Sequence, residues 1–286
     1  MTDILVQLNF NTGAGDLYCA LTQLINFSRK CYQQGFTVGF FYNLNQNQYF
    51  FDGPKIKIED FFSIEKKYYK FIEKKEASSN FEGFTHGFTP YLYSQSQKGG
   101  LHWWDVFISN KKNSEKEKIL ENVITCCMRE WQPEDKISEF PLFSESVMKH
   151  TIHRNDNMVG LHIRNLDYSE TMDLVNSNIK KIEELTNESL VYIFSNSKSV
   201  RNFFNSKKNI IMAAPRHEHI SYHYGMFKNN SNGNNLALIE NFEDTLSEMH
   251  NASLCKKIYT LTEWNRPTNF LFYSRAFNKT IQVTNL

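Results

Sequence analysis

The second half of the chain alternates short apolar segments with amphipathic ones, and this alternation leaves few folds open. Short, largely apolar segments predict buried strands, whereas apolar residues one helical turn apart predict helices. By this criterion, strands cover residues 158–164, 190–195, 209–213, 257–262 and 280–284. Helices cover residues 167–185, 197–205, 242–252 and 267–277. Because parallel strands need crossover connections, this alternation predicts a parallel, doubly wound α/β sheet.

The N-terminal part opens with a similar unit. A buried strand is predicted at residues 4–8, a helix at residues 16–34 and a second strand at residues 37–42. Gly13 and Gly15 lie in the turn between the first strand and the helix, where glycine allows a ligand to approach the backbone closely. The third glycine of a dinucleotide-binding fingerprint is missing, so the two glycines are a weak signal for such a ligand.

Length and charge limit the organisation and the partners of the protein. The chain has 286 residues, which suits two domains of about 150 residues. A boundary within residues 143–157 divides it into an N-terminal domain, 1–150, and a C-terminal domain, 151–286. Surface helices are predicted at 64–75 and 114–131. The 32 Lys and Arg residues nearly balance the 31 Asp and Glu residues, which argues against a dedicated nucleic-acid binder.

Cysteine usage and the N-terminal sequence indicate the compartment. The five cysteines form no CxxC pair, and their odd number argues against a complete disulfide framework. The N-terminus has no basic segment followed by a long apolar stretch, and no apolar run approaches the roughly 20 residues of a spanning helix. We therefore expect a cytoplasmic protein without a membrane span.

Four polar residues lie at the end of the predicted strand at 158–164 or shortly after it, at the edge where open α/β sheets bind ligands. They are His162, Arg164, Asp167 and Glu170. An arginine suits a diphosphate at this place, because its planar guanidinium binds two oxygens at once. A buried ion pair between Arg164 and Asp167, with His162 in the core, is the alternative, and the spacing leaves both interpretations open.

A second polar run, TLTEWNRPTNF, follows the fourth predicted strand of this half. Pro267 suits the first turn of a helix, and Thr268 and Asn269 beside it could bind phosphate oxygens or cap the helix. Arg216 lies in the loop that leaves the third strand and could reach the same edge of the sheet. The histidines that follow Arg216 do not have HExxH spacing, so we predict no metal site there.

Together these segments resemble a known superfamily. MVGLHIRNLD, residues 158–167, resembles the HxR segment of the α-1,6-fucosyltransferases, nodulation fucosyltransferases and protein O-fucosyltransferases. The superfamily's order is also present in VYIFSNSKSV, EDTLSEMHNAS and KKIYTLTEWNRPTNFLFYSRAF. The opening NTGAGDLYCALTQLINFSRK, which contains Gly13 and Gly15, is similar to the glycine-rich first turn and helix of these enzymes.

The resemblance implies a GT-B fold, in which two Rossmann-like domains with parallel sheets face each other across a cleft. It implies that the C-terminal domain binds a nucleotide-sugar donor, usually GDP-fucose, that the N-terminal domain serves the acceptor, and that no metal or other cofactor is required. By position, Arg164 would hold the donor phosphates and His162 would line the guanine and ribose pocket. Thr268 and Asn269 would contact the phosphates, and Asp244, aligned with a one-residue shift, would bind guanine.

The resemblance also implies a reaction. Members of the superfamily invert the anomeric carbon, which requires a carboxylate to accept the proton of the acceptor hydroxyl. Glu170 and Asp167 are the candidates for this base, and stabilisation of a helix N-terminus is their alternative role. Arg164 would stabilise the departing diphosphate. We therefore expect transfer of fucose or a related sugar from a GDP-sugar to a glycan or another hydroxyl acceptor.

Two other functions remain as alternatives. Asn165 stands where the α-1,6 enzymes commonly have a second arginine, which favours a non-catalytic protein that binds a nucleotide sugar or a glycan. A dinucleotide-dependent oxidoreductase is less favoured, because no acidic residue ends the second strand at Tyr42 and Asn43 to hold a ribose.

Overall fold

The structure, a computed structural model, consists of two compact units, Met1–Leu142 and Phe143–Leu286. The second unit begins earlier than residue 151, because the ring of Phe143 stacks on that of Tyr273 with 4.3 Å between the centroids. The structure describes residues 4–8, 14–42, 58–63, 67–71, 85–88, 104–108, 142–152, 157–164, 171–195, 197–213, 235–262, 271–278 and 280–286.

The first unit contains a five-stranded sheet. Its elements are β1 (Ile4–Leu8), α1 (Ala14–Gln33), β2 (Val38–Tyr42), α2 (Ile58–Phe61), β3 (Phe62–Ser63), β4 (Tyr69–Phe71), β5 (Thr85–Phe88) and β6 (Trp104–Ile108). The strand order is β4-β2-β1-β6-β5. β1, β2 and β4 are parallel, which confirms the predicted β1-α1-β2 unit. In contrast to the expected all-parallel sheet, β6 is antiparallel to β1 and to β5. Consecutive antiparallel strands, such as β5 and β6, need no crossover helix. This agrees with the sequence, which predicts no helix between residues 85 and 108.

Two details of the first unit differ from the prediction. Helix α1 begins at Ala14, so Gly15 lies in its first turn and not in the preceding turn. Gly13 lies outside the described residues, as does the helix predicted at 114–131. Residues 69–71 form β4 where a surface helix was predicted, because the buried ring of Tyr69 stacks on Phe40 of β2 at 4.5 Å.

The rest of the chain is dominated by a second five-stranded sheet. The elements of this part of the chain are β7 (Leu142–Phe143), α3 (Glu145–Met148), β8 (Met158–Arg164), α4 (Thr171–Ser177), α5 (Ile179–Glu188), β9 (Leu190–Ser195), α6 (Lys198–Phe204), β10 (Ile210–Ile211), α7 (Asn235–Ser253), β11 (Lys257–Thr262), α8 (Phe272–Phe277) and β12 (Gln282–Asn285). The sheet order is β10-β9-β8-β11-β12, and every neighbouring pair is parallel. The predicted doubly wound sheet is therefore confirmed.

Several elements of the second unit differ in length from their predictions. The single helix predicted over 167–185 is two helices in the described part, α4 and α5, separated at Asn178, whose φ of −114° and ψ of 12° are not helical. Helix α7 begins at Asn235, seven residues before the predicted start at residue 242. None of the helices in the described part of the chain combines the length and apolar character that crossing a bilayer requires.

The two faces of the central strand β8 pack against different helices. Val159, Leu161 and Ile163 pack into a cluster that includes residues of α4, α5 and α6. The opposite face carries Met158, Gly160, His162 and Arg164, as the alternation predicted, and packs toward α7. A Cβ on Gly160 would lie 3.0 Å from a ring carbon of Phe194, so glycine leaves room for the Phe194 ring on this face.

Candidate functional site

The order of the strands defines one edge of the second sheet as the ligand-binding edge. From β8 the chain continues to β9 and β10 on one side, whereas β11 and β12 lie on the other side of β8. Parallel sheets bind ligands at such a reversal, beyond the carboxyl ends of the two central strands. Here those ends are Arg164 of β8 and Thr262 of β11, which are register partners. The two polar runs that follow β8 and β11 in the sequence therefore start side by side.

His162 lies two residues before the end of β8, on the same face as Arg164. Its side chain is 3% exposed, and the imidazole stacks on Phe194 with 5.1 Å between centroids and 20° between planes. Burial, together with the charge of Arg164, lowers the pKa of His162 to about 3. The imidazole is therefore neutral at physiological pH, with one ring nitrogen able to donate a hydrogen bond and the other able to accept one.

Arg164 carries the positive charge at this edge. Its side chain is partly exposed at the end of β8. Among the residues that the structure describes, no carboxylate forms an ion pair with Arg164. Asp167, the partner in the alternative ion-pair interpretation, lies outside the described residues. The guanidinium is thus presented at the reversal point, where an anionic ligand would arrive.

A third group at this edge, Arg201 on α6, was not singled out from the sequence. Its Nε donates to the carbonyl oxygen of Ser195 at 2.9 Å, and its Nη1 donates to that of Ala213 at 3.0 Å. Its Nη2 donates to Oε1 of Glu248 on α7 at 2.6 Å. The helix that carries Arg201 begins after Ser197, whose side chain accepts a hydrogen bond from the N–H of Val200 and so caps the helix.

Glu248 and Asp244 lie one helical turn apart on α7, and both are buried. Burial raises the pKa of Glu248, and the nearby Asp244 carboxylate adds to this effect, while the guanidinium of Arg201 opposes it. Asn251, a further turn along the same face, donates to Oη of Tyr192 in the middle of β9. Arg201 links Glu248 to the end of β9. Asp244 precedes Glu248 by four residues of the helix, and it therefore lies about 6 Å further toward the ligand-binding edge.

The remaining predicted site residues divide into two groups. Gly15 is in α1 of the first unit. The others, Gly13, Asp167, Glu170, Arg216, Thr268 and Asn269, lie outside the described residues, as do His217, His219 and His223. Within the described ranges, no group of three His, Cys, Asp or Glu side chains is arranged to hold a metal ion.

The sequence contained only a weak signal for the Arg201–Glu248 pair. Glu248 lies between two core residues, Leu246 and Met249, and is buried in helix α7. A carboxylate at such a position needs a buried partner, but nothing in the sequence indicates that the partner is 47 residues away.

A parallel α/β sheet whose strand order reverses typically binds its ligand beyond the carboxyl ends of the strands at the reversal point. No protein-family model matches the chain, and no curated protein matches its sequence. Solved structures do match. A NodZ α-1,6-fucosyltransferase soaked with GDP-fucose has a TM-score of 0.52 and 12% identity, over 96% of this chain and 92% of that one.

Two further structures give the same result. A NodZ α-1,6-fucosyltransferase co-crystallized with GDP has a TM-score of 0.50 at 12% identity, over 96% of this chain and 92% of that one. The fucosyltransferase NodZ from Bradyrhizobium has a TM-score of 0.52 at 10% identity, over 96% and 93%. The chain therefore has a fucosyltransferase-like α/β fold with Rossmann-like sheets, which confirms the fold class that the sequence motifs predicted.

Proposed function

We propose that this protein is an inverting, metal-independent glycosyltransferase that transfers fucose or a related sugar from a GDP-sugar to a hydroxyl acceptor in the cytoplasm. The observation that carries the proposal is the placement of His162 and Arg164 at the reversal point of the second sheet. The fold that surrounds them is shared with an enzyme whose structure was determined with GDP-fucose. A glycan or another hydroxyl compound would be the acceptor.

The donor would be held along the ligand-binding edge of the second unit. The Arg164 guanidinium offers parallel N–H groups to the diphosphate. The neutral imidazole of His162 would line the pocket for guanine and ribose, and the Asp244 carboxylate would accept hydrogen bonds from guanine. Thr268 and Asn269 follow β11 and would add phosphate contacts, and Arg216 would approach from the loop after β10. In the first unit, Gly13 and Gly15 would allow a ligand to approach the backbone closely.

The chemistry follows from the charges that develop during transfer. Cleavage of the sugar–phosphate bond places positive charge on the sugar and negative charge on the departing GDP. A fixed guanidinium stabilises that negative charge without a metal ion. Inversion requires a base on the acceptor side, and Glu170 and Asp167 are the carboxylates closest in sequence to the end of β8. Either would take the proton of the acceptor hydroxyl as that oxygen attacks the anomeric carbon.

The proposal is tested with a thermal-shift panel of GDP, GDP-fucose, GDP-mannose, UDP-glucose and NAD. A ligand at 100 times its Kd stabilises the folded chain by about 2.7 kcal/mol, which raises Tm by several degrees at this size. We expect a shift with the guanine nucleotides that is lost in Arg164→Ala. The matched control is Lys208→Ala, which removes one positive charge from an exposed position at the opposite edge of the same sheet.

Three other results would change the assignment. No shift with any guanine nucleotide would refute the donor. A shift with NAD alone would indicate the oxidoreductase. Guanine-nucleotide binding without hydrolysis of GDP-fucose or transfer to any acceptor would indicate the non-catalytic binding protein, which Asn165 favours.

A further inference from the structure

One buried side chain connects three elements at the ligand-binding edge. Arg201 is hydrogen-bonded to Ser195, the last residue of β9, and to Ala213, two residues beyond β10. It also forms an ion pair with Glu248 of α7, in which the two side chains are 11% and 7% exposed. These hydrogen bonds point in three directions from one planar guanidinium. A lysine ammonium on its flexible stem does not reproduce this geometry.

The elements that Arg201 joins lie beside the two parts of the proposed donor site, one for the phosphates and one for guanine. Ser195 is the register partner of Ile163, so the end of β9 lies beside Arg164, the residue proposed for the phosphates. Glu248 is one turn from Asp244, the residue proposed for guanine. One nucleotide would thus be held by side chains on a strand and on a helix, and its affinity depends on how rigidly those two elements are spaced.

We propose that Arg201 is a positioning residue that holds the phosphate-binding strand end and the guanine-binding helix at the spacing of one nucleoside diphosphate. This inference rests on the proposed function. Arg201 acts through Ser195, Ala213 and Glu248, because its guanidinium is almost fully buried and is already engaged by these partners. Rigid support of this kind lowers the cost of ordering a site when the ligand binds.

The test is the Kd for GDP, measured by isothermal titration calorimetry on the full chain. Arg201→Lys keeps a cation beside Glu248, but one ammonium cannot serve both carbonyls and the carboxylate. We expect its Kd for GDP to rise about tenfold, equivalent to about 1.4 kcal/mol. Glu248→Gln, which retains an oxygen acceptor for Arg201, is expected to stay within about twofold of the wild-type Kd, a factor worth about 0.4 kcal/mol.

A second variant covers the case in which Arg201→Lys does not fold. Arg201→Met combined with Glu248→Leu replaces the ion pair by apolar side chains, a change that other buried pairs tolerate. The same rise in Kd is expected for it. The control is Asn251→Ala, which removes hydrogen bonds to Tyr192 and to the N–H of Ile152 but lies two turns of α7 away from Asp244. It should lose stability and keep its GDP affinity.

The outcomes separate this inference from the proposed function. Wild-type GDP affinity in the Arg201 variants, or an equal loss in Asn251→Ala, would overturn the positioning role and leave the proposed function intact. A wild-type protein that does not bind GDP would overturn both. A loss confined to the Arg201 variants would support the positioning role.

Discussion

Acidification should destabilise this protein through His162, and the size of the effect follows from its burial. The unfolded chain binds a proton at a normal histidine pKa of 6.5, whereas the folded chain resists protonation of His162 down to about 3. Below pH 6.5 the unfolded state therefore binds more protons than the folded state at this residue. Stability falls as the pH decreases through the interval between these two values.

The loss of stability at pH 5 depends almost entirely on the pKa of His162 in the unfolded chain, because pH 5 lies well above its pKa in the folded chain. Integrated from pH 7 to pH 5, the contribution of His162 to the free energy of unfolding decreases by about 2 kcal/mol. Asparagine does not titrate, so the free energy of unfolding of His162→Asn should not decrease by this amount. The carboxylates and the other histidines are common to both proteins and largely cancel in the comparison.

The assay is urea unfolding of the full chain at both pH values, for the wild type and for His162→Asn. We expect the wild type to lose about 2 kcal/mol more than the variant between pH 7 and pH 5. Equal losses in the two proteins would show that His162 is not buried in its neutral form. An NMR titration that shows the His162 ring protonating near pH 6 would refute the reasoning directly.

Three further predictions concern core packing, a buried hydrogen bond and the independence of the reaction from metal ions. Gly160→Ala should destabilise the protein by about 1–3 kcal/mol in urea unfolding, because the added carbon would lie 3.0 Å from Phe194 and 3.3 Å from Sγ of Cys255. Tyr192→Phe should cost about 1–3 kcal/mol, because the buried Nδ2 of Asn251 loses its acceptor; an unchanged urea midpoint would contradict this. Transfer or donor hydrolysis should continue at an unchanged rate in EDTA, and loss of activity that Mg²⁺ or Mn²⁺ restores would overturn metal independence.

The second sheet could be predicted from the sequence because its signals are local. β8, β9 and β11 have the bounds that the apolar segments predicted, and His162 and Arg164 fall on the predicted face. Each of these strands lies in the interior of the sheet, so a short, largely apolar segment identifies it. The first sheet was harder to predict. β4 forms where a helix was predicted, because Tyr69 is buried by stacking on Phe40, a contact across 29 positions (69 − 40) that periodicity does not contain.

The candidate site divides in the same way. Local sequence placed a guanidinium and an imidazole two residues apart at the end of a buried strand, because strand alternation depends only on neighbouring residues. Only the tertiary structure placed Arg164 opposite Thr262, joined Arg201 to Glu248, and brought Asp244 to the same edge. Strand order and buried ion pairs arise when distant segments pack together, and their free energy depends on contacts that no single segment encodes.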